Sequence, residues 1–287
     1  MEQNTQEWLA MRKKYIGASD APIIMGTSKF RLPDGRYKTP HLLWQEKLGL
    51  LDLSTDTTAT RYGKQMEEPA RQAYEKLTGV FTAPEVVYHT SVQYMMASLD
   101  GLSMDRDIAV EIKNCNAEDH ELARKKRVPK HYYAQVQHQL ACLNHDVMHY
   151  FSFHKGEGIV IEVKRDLEYV DKLYEAEQKF WSCVENLEEP DLIDLDFREM
   201  GRDWEAKAAK LWELEETIRQ DIRTAKELKE ELKSLSKGMN SRAGAFRFVA
   251  STRKGTIDYS KIPELIGMDL ECYRKASTQS WALQKGH

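Results

Sequence analysis

The stretch that decides how this chain reads is "ASLDGLSMDRDIAVEIKN", residues 97–114. It holds two apolar runs of strand character separated by a polar break. Asp100 closes the first run, and Gly101 after it permits a sharp exit from a strand. Glu111 and Lys113 lie two apart in the second run. On a strand they project to one face, while Val110 and Ile112 take the other. A lone Glu-x-Lys triplet is as a rule a surface ion pair. Here the return of the chain from Asp100 sets a second carboxylate beside Glu111, and two such groups repel unless a cation stands between them. Lys113 supplies one positive charge; a divalent ion supplies more. Mg²⁺ takes oxygen ligands and keeps several waters, so two carboxylates and the backbone carbonyl of Ile112 suffice.

Upstream, "ATRYGKQMEEPARQAYEKLTG" has Met66, Ala70, Tyr74 and Leu77 at helical spacing and Gly79 as its stop. Glu67 lies on the side nearer this apolar stripe, and Glu68 projects about 100° away with Gln72 and Glu75. Glu67 is therefore the acid expected to reach the sheet. Between residues 80 and 113 the period drops to two, predicting successive strands. Downstream, "RKKRVPKH" crowds Arg124, Lys125, Lys126, Arg127 and Lys130 into one basic stretch, read by itself as a solvated loop. "PKHYYAQVQHQLACLN" returns to helix, with Tyr133, Val136, Leu140 and Leu143 inward. "VMHYFSFHKGEGIVIEVKRD" predicts a hairpin through Lys155-Gly156-Glu157-Gly158, and "LEYVDKLYEAEQKFWSCVENL" a further helix. Near the start, Trp8, Leu9, Met11 and Arg12 mark a short amphipathic segment. Ser19 and Asp20 stand where they cap a helix beginning at Pro22, and "PHLLWQEKLGL" reads as another short helix.

The sequence is 287 residues long, 41% hydrophobic and 31% charged, with a net charge of -4, so any nucleic-acid footprint has to be local. No run approaches the ~18 apolar residues of a membrane span, and the N-terminus has no signal-type stretch. Both point to a cytoplasmic protein. Cys115, Cys142, Cys183 and Cys272 are scattered without a Cys-x-x-Cys pair, which argues for buried thiols rather than disulfides or an iron–sulfur site. The histidines are isolated; His131 alone stands where it lines the site. Beyond Pro190 the texture changes. Leu211, Leu214, Ile218, Ile222, Ala225, Leu228, Leu232 and Leu235 recur among many charges, predicting a long helix with a narrow seam, either packed on its own domain or forming a coiled-coil arm. "FRFVASTRKGTIDYS" predicts a hairpin turning at Lys254-Gly255, and a polar tail with Tyr273, Arg274 and Trp281 follows. The expected division is residues 1–195 as an α/β domain and 196–287 as an extension.

Asp100, Glu111-x-Lys113 and a helix-borne Glu67 resemble the PD-(D/E)xK nuclease superfamily, with Leu99 at the place of the proline. Four ordered segments resemble more specifically the YqaJ-type phage recombinase family, which includes the lambda-type alkaline exonuclease: "EWLAMRKKYIGASDAPIIMG", "GKQMEEPARQAYEKLTG", "SLDG…VEIK" and "YYAQVQHQLACL". That resemblance implies a restriction-endonuclease-like core with a small mixed sheet flanked by helices. It implies Asp100, Glu111, Ile112 (backbone O) and Glu67 around two Mg²⁺ ions, or Mn²⁺ in their place. Lys113 then orients or deprotonates the attacking water, and Gln135 lines the site. Arg12 and Ser19, with Ser98 nearby, correspond to the pair that grips a terminal 5′-phosphate. The family's arginine after the Glu-x-Lys is absent here, where "NCNAED" stands, so its phosphate contact either comes from Arg124–Lys130 or is missing. The implied activity is Mg²⁺-dependent 5′-3′ degradation of double-stranded DNA ends in a phage or prophage setting. It implies a ring-shaped homotrimer and a single-strand annealing protein as partner. An endonuclease with the same core, and a DNA-binding protein without catalysis, are the alternatives.

Overall fold

The computed structural model describes residues 11–53 and 58–253, together with Gly255, Ile262, Leu265 and Met268. The chain divides into two compact units, residues 1–198 and 199–287. The first is built on a mixed six-stranded sheet: β1 (Ile16–Gly17), β2 (Thr82–Tyr88), β3 (Met95–Ser103), β4 (Ala109–Asn114), β5 (Val147–His154) and β6 (Glu157–Lys164). Its order is β1-β3-β4-β5-β6, with β2 paired antiparallel to β3. Strands β1 and β3 run parallel, as do β4 and β5; the β3–β4 and β5–β6 pairs are hairpins. The helices are α1 (Ala21–Ile24), α2 (Pro40–Lys47), α3 (Thr58–Thr78), α4 (Ala117–Arg124), α5 (Lys130–Leu143) and α6 (Leu167–Asn186). This is an α/β core, a small mixed sheet flanked by helices.

Alternation on β4 sorts the two faces. Ala109 joins Leu99, Val136, Leu140 and Tyr150 in the larger core cluster, on the side covered by α5. Val110 and Ile112 turn to the other side, against Ala70 and Tyr74 of α3 and Phe151 and Phe153 of β5. Leu77, expected on the buried stripe of α3, is 59% exposed, whereas Ala70 and Tyr74 are fully buried. The β5–β6 turn is Lys155-Gly156, both with positive φ, as a two-residue hairpin demands. Cys115 and Cys142 are buried free thiols and Cys183 is half-buried; Cys272 lies outside the described residues.

Three expectations need correction. Asp100 does not close a strand: β3 runs on to Ser103 and the turn falls at residues 104–107. Gly101 accordingly serves close approach rather than a turn, since a Cβ there would collide with Thr82 and lie 2.8 Å from Val110 Cγ1. Gly101→Ala is expected to cost about 1–3 kcal/mol, read as a lower urea midpoint at unchanged slope. Asp20 does not cap α1 with its side chain; its carboxylate accepts from the Gly17 N–H at 3.0 Å instead. Nor is the basic stretch all loop, since Arg124 belongs to a helix. Asn116 caps α4 by accepting from the Asp119 N–H, and Arg124 closes that helix rather than opening a loop.

In the second unit, α7 (Arg202–Leu235) is a 34-residue helix with no buried residue. A short hairpin follows, β7 (Ser241–Ala243) with β8 (Phe246–Phe248). The expected hairpin turning at Lys254-Gly255 falls in part outside the described residues, and Phe246–Phe248 pairs with the strand before it. Trp8, Leu9, Tyr273, Arg274 and Trp281 also lie outside the described residues.

Candidate active site

The β3–β4 ladder pairs Gly101 with Val110 and Leu102 with Ala109. Past that point the Ile112 N–H bonds the Asp100 carboxylate, at 2.8 Å, rather than a strand carbonyl. The splayed strands hold Asp100 and Glu111 in each other's field. Burial and the negative charge of Glu111 push the Asp100 carboxyl up to about 7, with a smaller push in the same direction from Glu67. Glu67 is exposed on α3, yet its charge reaches Asp100. Its neighbour Glu68 faces solvent and is taken by Arg71 and Gln72. Asn114 Nδ2 donates to the Gly63 carbonyl at 3.4 Å, which ties the end of β4 to α3 one turn before Glu67.

Glu111 is 1% exposed and densely bonded. Its Oε1 receives Lys113 Nζ at 2.5 Å and Gln135 Nε2 at 2.6 Å. Its Oε2 receives Gln139 Nε2 at 2.5 Å. Gln135 and Gln139 are one helical turn apart on α5, so both amides fall on the face above the sheet. Gln139 also reaches the Ser98 carbonyl at 3.4 Å, which places Ser98 beside the site. Burial works to lower the Lys113 ammonium, but Glu111 and Asp100 outweigh it and hold it well above its ordinary value. Lys113 is a fixed cation here, lying 5.2 Å from the centre of the Tyr132 ring.

No three His, Cys, Asp or Glu side chains form a metal cluster among the described residues. The site offers two facing carboxylates, the Ile112 carbonyl and the buried Gln139 Oε1, which finds no donor among the described residues. A hard ion that keeps several waters fits that donor set, whereas a Zn²⁺ ion needing four protein ligands does not. Asp100, Glu111 and the Ile112 carbonyl would hold it, with Glu67 in reach through water.

A cleft of about 580 Å³ opens beside this point, lined by Arg12, Ser19, Lys29, His131, Tyr132 and Gln135 among others. Arg12 donates to Ser19 Oγ at 2.6 Å and lies 3.8 Å from Asp20. Asp20 is 3% exposed and bonded to buried Lys47 at 2.6 Å. Burial alone would raise the Asp20 carboxyl; Lys47 and Arg12 outweigh it and hold it well below the usual carboxylate range. Lys47 also donates to the carbonyls of Arg12 and Tyr15 and so pins this corner. Among contacts not foreseen from sequence, that of Gln139 had a signal, its i+4 spacing from Gln135. The Asp20–Lys47 pair had none, its members being 27 residues apart.

The basic stretch stands apart from the cleft lining. Arg124 is committed to Glu157 and Glu121, Lys125 lies 3.7 Å from Glu121, and Lys126 donates to the Val160 carbonyl at 3.4 Å. Arg127 and Lys130 are exposed.

Residues 7–146 match the model of a YqaJ-like viral recombinase domain. The chain is 29% identical over 187 residues to the protein YqaJ of Bacillus subtilis (strain 168), a match covering 63% of this chain and 56% of that protein. It thus spans about half the length of the curated relative it matches. Among solved structures it is similar to the alkaline exonuclease LHK-Exo from Laribacter hongkongensis (TM-score 0.53) and to LHK-Exo in complex with dAMP (TM-score 0.54). Each match is at 22% identity over 72% of this chain and all of the other. At that identity the likeness is one of fold. No helix among the described residues is long and apolar enough to cross a membrane.

Proposed function

Because residues 7–146 carry a YqaJ-like viral recombinase domain, we propose that the chain is a metal-dependent deoxyribonuclease that degrades double-stranded DNA ends 5′ to 3′. It leaves 3′ single-strand tails for recombination by annealing. The observation that carries this reading is Gln135, which bonds Glu111 at 2.6 Å and lines the same cleft as Arg12 and Ser19. A terminal 5′-phosphate held by Arg12 and Ser19 then lies one side chain away from the acids. In solved form the fold is found with dAMP, a nucleotide that carries such a phosphate.

Mg²⁺, two ions in the full complement or Mn²⁺ in their place, supplies an activated water at neutral pH and charge for the departing oxygen. The residues of the chain do the rest. Asp100 and Glu111 fix the position of that charge, and Gln135 and Gln139 hold Glu111 in one orientation. Lys113, kept protonated, stabilises the negative charge that builds on the phosphate rather than accepting a proton. Glu67 adds a third carboxylate, and Ser98 a place on β3 next to the reacting phosphate. Lys125, Lys126, Arg127 and Lys130 are left for the duplex further out, with Arg124 neutralised by its carboxylates. The homotrimeric ring, the annealing partner and a cytoplasmic place of action belong to the same proposal.

The test compares linear 5′-phosphorylated duplex with closed circular DNA in Mg²⁺. The parent should shorten the linear duplex stepwise from its 5′ ends and spare the circle, and Lys113→Ala should lower the rate by about 10²–10³-fold. Cutting of the circle would make this an endonuclease; no cutting of either would leave a DNA-binding protein. In Arg12→Ala, KM for phosphorylated ends should rise at least about tenfold while ends lacking the phosphate are unaffected. Equal losses on both kinds of end would remove Arg12 from phosphate recognition.

A further inference from the structure

The seam of α7 is exposed along its whole length, with Leu211, Leu214, Ile218, Leu228, Leu232 and Leu235 between 46% and 80% exposed. These six positions are symmetric about Arg223. Leu211 and Leu235 lie twelve residues either side of it, Leu214 and Leu232 nine, and Ile218 and Leu228 five. Two helices of one sequence that cross antiparallel about a two-fold axis bring equidistant positions level, so such a seam packs on itself apolar against apolar.

We infer that α7 is an interaction surface for a second copy of this chain, paired antiparallel with the two-fold axis at Arg223. The polar residues on the seam and its flanks choose the direction. Asp221 is on the seam at heptad spacing from Leu214 and Leu228. A parallel pair would set Asp221 against Asp221 of the second copy, two like charges in an apolar layer. In the antiparallel pair it meets Ala225. Ile222 leaves the heptad by one place, 63% exposed, on the flank where the antiparallel pair brings it to Ile222 of the second copy across the axis. Along that same flank Glu215 comes beside Lys229 of the second copy, twice over by symmetry. The seam, the off-heptad isoleucine and the flanking charges are thus complementary to one occupant, this helix reversed.

The pairing is tested on the full chain in a background of Cys183→Ser and Cys272→Ser. Ile218→Cys together with Leu228→Cys should yield a product of twice the chain mass with a short thiol-to-thiol cross-linker, and either substitution alone should not. Cross-linking by Ile218→Cys alone would mean parallel helices and overturn the proposal. So would the absence of any cross-link, which a seam covered by the chain's own tail or by a different protein would give. In light scattering, Leu214→Glu with Leu228→Glu should halve the particle mass, from two joined rings of three to one ring if the chain forms the ring proposed above and from two chains to one otherwise, and an unchanged mass would also overturn it.

Discussion

In Asp100→Asn, Mg²⁺-dependent cleavage falls by more than about 10³-fold, while the metal-free protein melts higher than the parent. The two effects have one origin. Asp100 and Glu111 confront each other on splayed strands with a single ammonium for two carboxylates, an arrangement suited to a divalent ion and costly without one. Asparagine keeps an acceptor for the Ile112 N–H, 2.8 Å away in the parent, and removes one of the opposing charges. A gain of about 1–2 kcal/mol, or roughly 2–8 °C in Tm, follows for the metal-free state. Thermal melts in a chelator and in rising Mg²⁺ check both halves. The parent should gain stability with the ion and the variant should not; an equal response of the two would take Asp100 out of the metal site.

His138→Ala should cost about 3–5 kcal/mol and lower the melting temperature by roughly 10 °C. His138 and Glu177 are both 0% exposed, joined at 2.7 Å between α5 and α6. The other ring nitrogen of His138 lies 2.9 Å from the Met96 carbonyl. Both nitrogens face acceptors, so both donate and the ring is an imidazolium. Burial opposes that charge, but Glu177 outweighs it and raises the His138 pKa well above its ordinary value. Alanine leaves a buried carboxylate without its cation. The sign of the pH dependence follows. Because the folded-state pKa is raised, the contribution is complete below about pH 6.5, and it is lost as pH climbs through the folded value. Urea melts of the parent should therefore weaken on the alkaline side, and His138→Leu with Glu177→Met should be flat there with much of the stability restored. A pH-independent parent would mean that the pair is neutral.

The parts legible in the sequence are those governed by local periodicity or by spacing of a few residues. Glu111 and Lys113 share a face because strands alternate, and the α3, α5, α6 and α7 segments announce themselves by apolar spacing. What was not legible depends on residues far apart in the chain. His138 and Glu177 are 39 positions apart, and Asp20 and Lys47 show only as a charge beside apolar neighbours. The place of the β3–β4 turn was misjudged because Gly101 looks like a turn residue, when Thr82 and Val110 press on it from two sides. Helix α4 was missed since its eight residues carry mostly charge. The β7–β8 hairpin was missed because Ser241–Ala243 is too short and polar to read as a strand.

The order of these parts along the chain bears on how the protein is made. Arg12, Asp100, Glu111, Lys113, Gln135 and Gln139 all precede β5 and α6 in the chain. Strand β5, which pins β4 through five parallel pairs, and Glu177, which neutralises His138, come afterwards. A nascent chain therefore carries the full set of site side chains before the scaffold that aligns them has been synthesised. The order of synthesis thus leaves the alignment of the site to the last elements of the first unit.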